Sequence, residues 1–309
     1  MLKSYISFKG FKLNFVINYG LDREKIKAFF FPSPQFTRLL STNVKEAPKF
    51  CYLERLNDAD KGIAVLVLNR PAARNAISVD FLRQFQSSID EVRFDPDIRV
   101  LVVRSLVERV FCAGADLKER ATMSPKQVVR FLSDLRKSFC NLESLPQPTI
   151  ATIDGAALGG GLEMALCCDM RVAGKNALLG LPETKLAIIP GAGGTQRLSR
   201  LIGLSKAKEL IFTARILNSE KALQLGLLNS ISETENSYDT ALDLAREILP
   251  QGPIAIRMAK LALDSGYQLD KASALDVEQM CYTQVIPTQD RLEGLRAFKE
   301  KRKPIYRGC

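Results

Sequence analysis

This 309-residue sequence predicts an α/β fold in which a parallel sheet is packed between helices. Three features predict it: short, unbroken, β-branched apolar runs; amphipathic segments of helical period between them; and a nearly continuous helical signal beyond about residue 200. Unbroken apolar strands are buried on both faces, as the strands of parallel sheets are.

The elements follow in order. Gly62-Ile-Ala-Val-Leu-Val-Leu-Asn69 is a buried strand closed by Asn69-Arg-Pro71. From Ser78 the apolar residues Val79, Phe81, Leu82, Phe85, Ile89 and Val92 recur at helical spacing until Asp95-Pro-Asp97 stops the helix. Arg99–Ser105 is again a strand, a helix over about 124–143 follows, and Pro146-Gln-Pro148 leads into the strand Thr149–Ile153. Met170–Ala173 reads as another strand. Helices are then expected at 205–212, 219–225, 237–249, 253–265, 270–284 and 288–301, with Pro250-Gln-Gly-Pro253 as the clearest break. Three regions result: a leader at 1–48, a core at 49–246 and a helical region at 247–309.

Composition narrows the chemistry. At 46% hydrophobic and 25% charged, the chain is globular and not collagenous, coiled-coil or disordered. It contains no histidine, which excludes Ser-His-Asp and Cys-His catalysis, a histidine base and a histidine-ligated zinc site. Proton transfer near neutral pH therefore falls to Glu, Asp, Lys, Tyr or Cys. Seven cysteines, odd in number and without C-x-x-C, suggest neither a disulfide framework nor a zinc knuckle. No apolar run approaches the roughly 18 to 20 residues that span a bilayer, so no membrane insertion is expected.

The net charge is +10, and residues 1–45 account for +6 of it. That stretch is basic, poor in acid and interleaved with hydroxyl and aromatic residues, ending in Thr37-Arg-Leu-Leu-Ser-Thr42. Such a pattern resembles an organelle transit peptide and lacks the continuous apolar segment of a secretory signal. The expected destination is the mitochondrial matrix, with the plastid as the alternative.

Three glycine clusters stand at element ends: Phe111-Cys-Ala-Gly-Ala-Asp116, Asp154-Gly-Ala-Ala-Leu-Gly-Gly-Gly-Leu-Glu163 and Pro190-Gly-Ala-Gly-Gly-Thr195. None is a phosphate-binding G-x-x-x-x-G-K-[ST], a dinucleotide G-x-G-x-x-G after a strand, or a G-x-S-x-G elbow. Glycine permits close backbone approach, so amide N–H groups from two such loops can converge on one oxygen. An isolated glycine run is more often packing, but here carboxylates lie at short range. Glu163 sits in the first turn of an apolar helix and Glu183 ends the apolar run Leu178-Leu-Gly-Leu-Pro-Glu183. Each alone is most simply solvent-facing or tied to an arginine such as Arg171 or Arg197. Together, in apolar surroundings, they can have separated pKa values and serve as acid and base.

From about Phe50 to Arg307 these pieces resemble the enoyl-CoA hydratase/isomerase, or crotonase, superfamily. The resemblance is carried by Asn69-Arg-Pro71, Ala113-Gly-Ala-Asp116, Ala157-Leu-Gly-Gly-Gly-Leu-Glu163, Cys168-Asp-Met-Arg171, Gly180-Leu-Pro-Glu183 and Ile189-Pro-Gly-Ala-Gly-Gly-Thr-Gln-Arg197 in that order and spacing. Leu117-Lys-Glu-Arg-Ala121 and Asp290–Arg302 carry a closer likeness to the family's mitochondrial enoyl-CoA and methylglutaconyl-CoA hydratases.

The resemblance implies a crotonase-like spiral of β-β-α turns followed by C-terminal helices that trimerise, giving a trimer or a dimer of trimers. It implies hydration of 2-enoyl-CoA thioesters, with methylglutaconyl-CoA as the alternative substrate. The backbone N–H groups of Ala113 and Gly160 match the oxyanion hole, and Glu163 and Glu183 match the catalytic pair. We assign the attacking water to Glu163 and C2 to Glu183. Arg74, Gly114, Ala115, Asp116 and Lys118 match coenzyme A contacts, with Phe298 and Lys301 reaching the ligand of a neighbouring copy. No metal or separate cofactor is expected, since coenzyme A is part of the substrate. RNA binding is kept only as a minor, secondary activity of the alternative reading: the helix at Ser78–Phe94 carries Arg83 and Arg93 against Asp80, Asp90 and Glu91, and no RNP-type aromatic motif occurs.

Overall fold

The computed structural model of the chain describes residues 48–309, together with a short antiparallel pairing of Ser7–Phe8 with Phe11–Lys12. The expected leader otherwise lies outside the described residues. From Lys49 to Cys309 the chain forms one unit built on two sheets.

The six-stranded sheet is formed by β1 (Cys51–Arg55), β2 (Ile63–Leu68), β3 (Val100–Ser105), β5 (Thr149–Ile153), β7 (Met170–Ala173) and β10 (Ser230–Ile231). Its spatial order is β10-β7-β5-β3-β2-β1, parallel except where β1 pairs antiparallel with β2. The four-stranded sheet, of order β9-β8-β6-β4, is formed by β4 (Val110–Cys112), β6 (Ala156–Leu158), β8 (Leu178–Gly180) and β9 (Ile216–Asn218). Three times in succession the chain runs a strand in the larger sheet, then one in the smaller: β3 to β4, β5 to β6, β7 to β8. That alternation is a spiral of β-β-α turns.

The unbroken apolar strands are buried on both faces, as their composition requires. In β2, Ala64, Leu66 and Leu68 enter the main core, while Ile63, Val65 and Val67 enter a second core on the opposite face. Helix α1 (Val79–Phe94) buries Phe81, Leu82, Phe85, Ile89 and Val92 in the main core, and the Ser78 hydroxyl caps it by accepting from the Phe81 N–H. Helix α2 (Leu117–Ala121) is one short turn, and α3 (Pro125–Glu143) begins with a capping box at Ser124 and Gln127.

Beyond β6 come α4 (Gly160–Leu166), α5 (Gly194–Ile202), α6 (Leu204–Phe212), α7 (Ser219–Gln224) and α8 (Tyr238–Ile248). The last helices are α9 (Pro253–Gly266), α10 (Lys271–Val285) and α11 (Gln289–Glu300). The expected division after residue 246 falls inside α8, whose Ala241, Leu242 and Ala245 close the second core. The change of character comes later, at the Pro250-Gln-Gly-Pro253 break: over α10 only Cys281 is buried. Among the described residues no helix is long and apolar enough to cross a membrane.

Candidate active site

The candidate residues come from the ends of the small-sheet strands, where each strand leaves the sheet for a helix. After β4 runs the loop Ala113–Asp116, after β6 the turn Gly159–Glu163, and after β8 the segment from Leu181 to Gly194.

The first two loops touch. Gly114 has φ +92, and a Cβ placed on it would stand 3.0 Å from the Leu158 carbonyl oxygen and 3.1 Å from the Gly160 nitrogen, so any other residue would be strained and crowded against backbone there. A Cβ on Gly160 would be 3.5 Å from the Ala115 nitrogen. The Gly160 and Ala115 amides are therefore neighbours. Gly160 is the first residue of α4, so its N–H has no partner inside that helix.

Here the structure corrects the sequence. The Ala113 N–H donates to the Arg74 carbonyl at 3.1 Å and is spent within the fold. Two residues on, Ala115 lies in a one-residue bridge to Ile77, made by the Ile77 N–H donating to Gly114 O at 2.8 Å and the Asp116 N–H to Ile77 O at 3.0 Å. These bonds leave the Ala115 N–H uncommitted beside Gly160. Ala113-Gly-Ala115 offers two alanine amides, and only the register against Arg74 and Ile77 decides which is available.

Glu163 is 2% exposed. Its Oε1 accepts from the Ala192 N–H at 2.8 Å and the Gly194 N–H at 2.7 Å, a double anchor supplied by the Pro190–Thr195 glycine loop. Burial pushes its pKa up, while the two amides and the charge of Arg197 oppose that shift. Neither arginine suggested by the sequence pairs with it: Arg171 bonds the carbonyls of Leu227 and Cys168, and Arg197 pairs with Glu143.

Glu183 stands in a 3-10 turn, Pro182–Leu186, whose Thr184 hydroxyl donates to the Ile211 carbonyl at 2.8 Å. Its Oε1 faces Gly159, where φ is +52 and a Cβ would come within 3.1 Å. Its Oε2 is buried without a hydrogen-bond partner. Burial, reinforced by the charge of Glu163, pushes its pKa up to about 7.

The remaining predicted contacts divide. Arg74 is exposed at the left-handed end of the turn Pro71–Ala73, beside Ala113, and Lys118 is exposed on α2. Asp116 is occupied structurally: its Oδ1 caps α2 by accepting from the Lys118 and Glu119 amides, and its Oδ2 pairs with Arg70 at 2.7 Å. Phe298 and Lys301 are exposed at the end of α11, where the Lys301 N–H donates back to the Phe298 carbonyl. Sequence reasoning placed Ala115 among the coenzyme A contacts and not in the oxyanion pair, and it missed the anchoring of Glu163 by Ala192 and Gly194, although the glycine loop itself was visible. Among the described residues no cluster of three metal-ligating side chains occurs.

A family model described as enoyl-CoA hydratase/isomerase matches residues 58–308. The chain belongs to the enoyl-CoA hydratase/isomerase family. Among its relatives is "Probable enoyl-CoA hydratase 2, mitochondrial" of Arabidopsis thaliana, 53% identical over 261 residues, 84% of this chain and 87% of that protein. The human protein named methylglutaconyl-CoA hydratase, mitochondrial, is 52% identical over 260 residues, 83% of this chain and 77% of its own length. Among solved family members, the crystal structure of an enoyl-CoA hydratase from Bacillus anthracis matches with a TM-score of 0.81 at 44% identity, covering 84% of this chain and all of that one. The spiral of β-β-α turns is thus the fold of enoyl-CoA hydratases.

Proposed function

We propose that the chain hydrates 2-enoyl-CoA thioesters to 3-hydroxyacyl-CoA, using Glu163 and Glu183 with the backbone amides of Ala115 and Gly160. The observation that carries it is the pairing of two unlike carboxyls, one anchored by two amides and one with an unpartnered buried oxygen, near two adjacent amides. Attack of water at C3 moves the double-bond electrons toward the thioester oxygen as an enolate. The Ala115 and Gly160 N–H groups donate to that oxygen, each such donor worth about 3 to 4 kcal/mol in the transition state. Glu163 takes a proton from the water as the C3–O bond forms, and Glu183, protonated near neutral pH, delivers its proton to C2. Proton exchange between the two carboxyls and solvent restores the starting state.

Loss of the conjugated enoyl absorbance of crotonyl-CoA reads this activity directly. Glu163→Gln and Glu183→Gln each lower kcat at least about 10²-fold. Near-normal turnover in either overturns the pair. The exposure of Arg74 and Lys118 beside the Ala113–Asp116 loop supports them as coenzyme A phosphate contacts, so Arg74→Ala and Lys118→Ala are expected to raise KM with kcat kept. Phe298 and Lys301 are proposed to reach the coenzyme A of a neighbouring copy.

A branched substrate, methylglutaconyl-CoA, is the second acyl group to test, favoured by the name of the 52% identical human relative. The basic stretch before residue 46 and the word mitochondrial in the names of these relatives support import into the mitochondrial matrix. Residues 1–48 fused to a fluorescent protein are expected to give mitochondrial fluorescence; a diffuse cytosolic signal sinks the assignment.

A further inference from the structure

One charged pair beside the catalytic carboxyls has no part in the chemistry above. Arg197 lies on α5 with its side chain 13% exposed, and it makes a two-pronged contact with Glu143, the last residue of α3: Nε to Oε1 at 2.9 Å and Nη2 to Oε2 at 2.7 Å. The third prong, Nη1, donates to the Ala192 carbonyl at 2.9 Å. The Arg197 N–H donates to the Gly193 carbonyl, also at 2.9 Å. Between Ala192 and Gly194 the backbone passes through Gly193 at φ +108, where a Cβ would stand 2.1 Å from Nη1. The guanidinium therefore meets, through its Nη1 end, the turn whose two N–H groups hold Glu163 Oε1.

We propose that Arg197 is a positioning residue for Glu163: anchored by Glu143, it holds the Ala192–Gly194 turn so that both amides aim the Glu163 carboxylate at the attacking water. A flat fork with several donors suits this task, because one plane must satisfy a carboxylate and a backbone carbonyl at once. Its positive charge also favours the ionised form of Glu163 against the cost of burial. Among titratable side chains Arg197 on α5 acts on Glu163, and Glu163 in turn raises Glu183 in the 3-10 turn and Cys167 at the end of its own helix. Cys167 is fully buried with its thiol pKa pushed far up, so it stays neutral, and Glu143 acts on Glu163 through Arg197.

The inference rests on Glu163 acting as the base, so its test has one arm that needs no turnover. With crotonyl-CoA, Arg197→Met lowers kcat by about 10- to 10²-fold with KM little changed, the scale of a small misplacement of a reacting group. It also moves the acidic limb of the kcat pH profile upward by about 1 unit, the low end of the effect of a lost neighbouring charge. Arg197→Lys restores the limb but only part of kcat, because the charge returns without the fork. Glu143→Gln, at a half-exposed side chain, lowers kcat in the same sense by less and serves if Arg197→Met does not fold. In the turnover-free arm, carbon-13 titration of the Glu163 carboxyl shows its pKa rising in Arg197→Met. Folded Arg197→Met and Glu143→Gln proteins with wild-type kcat, pH profile and Glu163 titration overturn the proposal. A wild-type protein that hydrates no enoyl-CoA while the titration shift persists overturns the hydratase function and leaves the positioning intact.

Discussion

At Glu183 the fold leaves a carboxyl half-buried, with one oxygen unpartnered and a second carboxyl nearby, so its proton is held up to about pH 7. The sign follows from that shift. Between the ordinary carboxyl range near 4.5 and about 7, the folded protein binds this proton more tightly than the unfolded chain, so the stabilisation is complete at low pH and is lost as pH rises through about 7. If Glu183 gives its proton to C2, kcat/KM falls above about pH 7; a profile flat to alkaline pH refutes that assignment. Stability moves in step: Glu183→Gln cannot ionise, so its melting temperature relative to wild type rises between pH 5 and pH 8. The assignment of water to Glu163 and C2 to Glu183 came from the resemblance and not from local sequence, since both sit in apolar segments. In the structure the two differ in the Ala192 and Gly194 amides on Glu163, one sequence motif away, and in the unpartnered Oε2 of Glu183.

At the level of elements, long periodic segments were readable and three-residue strands were not. Helix α1 was expected from Ser78 to Asp95 and is found at Val79–Phe94, because its buried residues repeat every three or four positions. The strands β4, β6 and β8 are three residues each, too short for any period to show, yet they deliver the site loops. Asp116 illustrates how an element end is fixed. Burial alone would raise its carboxyl pKa, but Arg70 and the two capping amides together bring it below the usual range. It therefore clamps the start of α2 directly after Ala115. Asp116→Ala removes cap and ion pair and costs about 1 to 2 kcal/mol, whereas Asp116→Asn keeps the cap acceptor and costs less. Urea unfolding of both variants measures the difference, and equal losses would count against the cap.

Across the whole molecule, successive turns of the spiral bring residues far apart in the chain to one place. Ala115, Gly160, Glu163 and Glu183 each follow a strand of the same small sheet, and parallel pairing of β4 with β6 and of β6 with β8 aligns those strand ends. Beyond Pro253 the helices present exposed Leu263, Tyr267, Met280, Tyr282 and Phe298, too many large apolar side chains for a well-covered surface. Self-association is the outcome expected from light scattering, with the family resemblance implying a trimer or a dimer of trimers; a monomer at micromolar concentration contradicts it. The sequence by itself determined the α/β class, the longer elements and the exclusion of histidine chemistry, and singled out the two glutamates as candidates, because each is written in local periodicity or in residue identity. The tertiary structure alone decided that Ala115 and not Ala113 offers the free amide, that Glu163 is anchored by backbone and not by an arginine, and that Arg197 reaches from Glu143 to the turn holding Glu163. Each of these depends on which backbone groups meet across loops, and hydrogen-bond partners between distant loops leave no periodic trace in the chain.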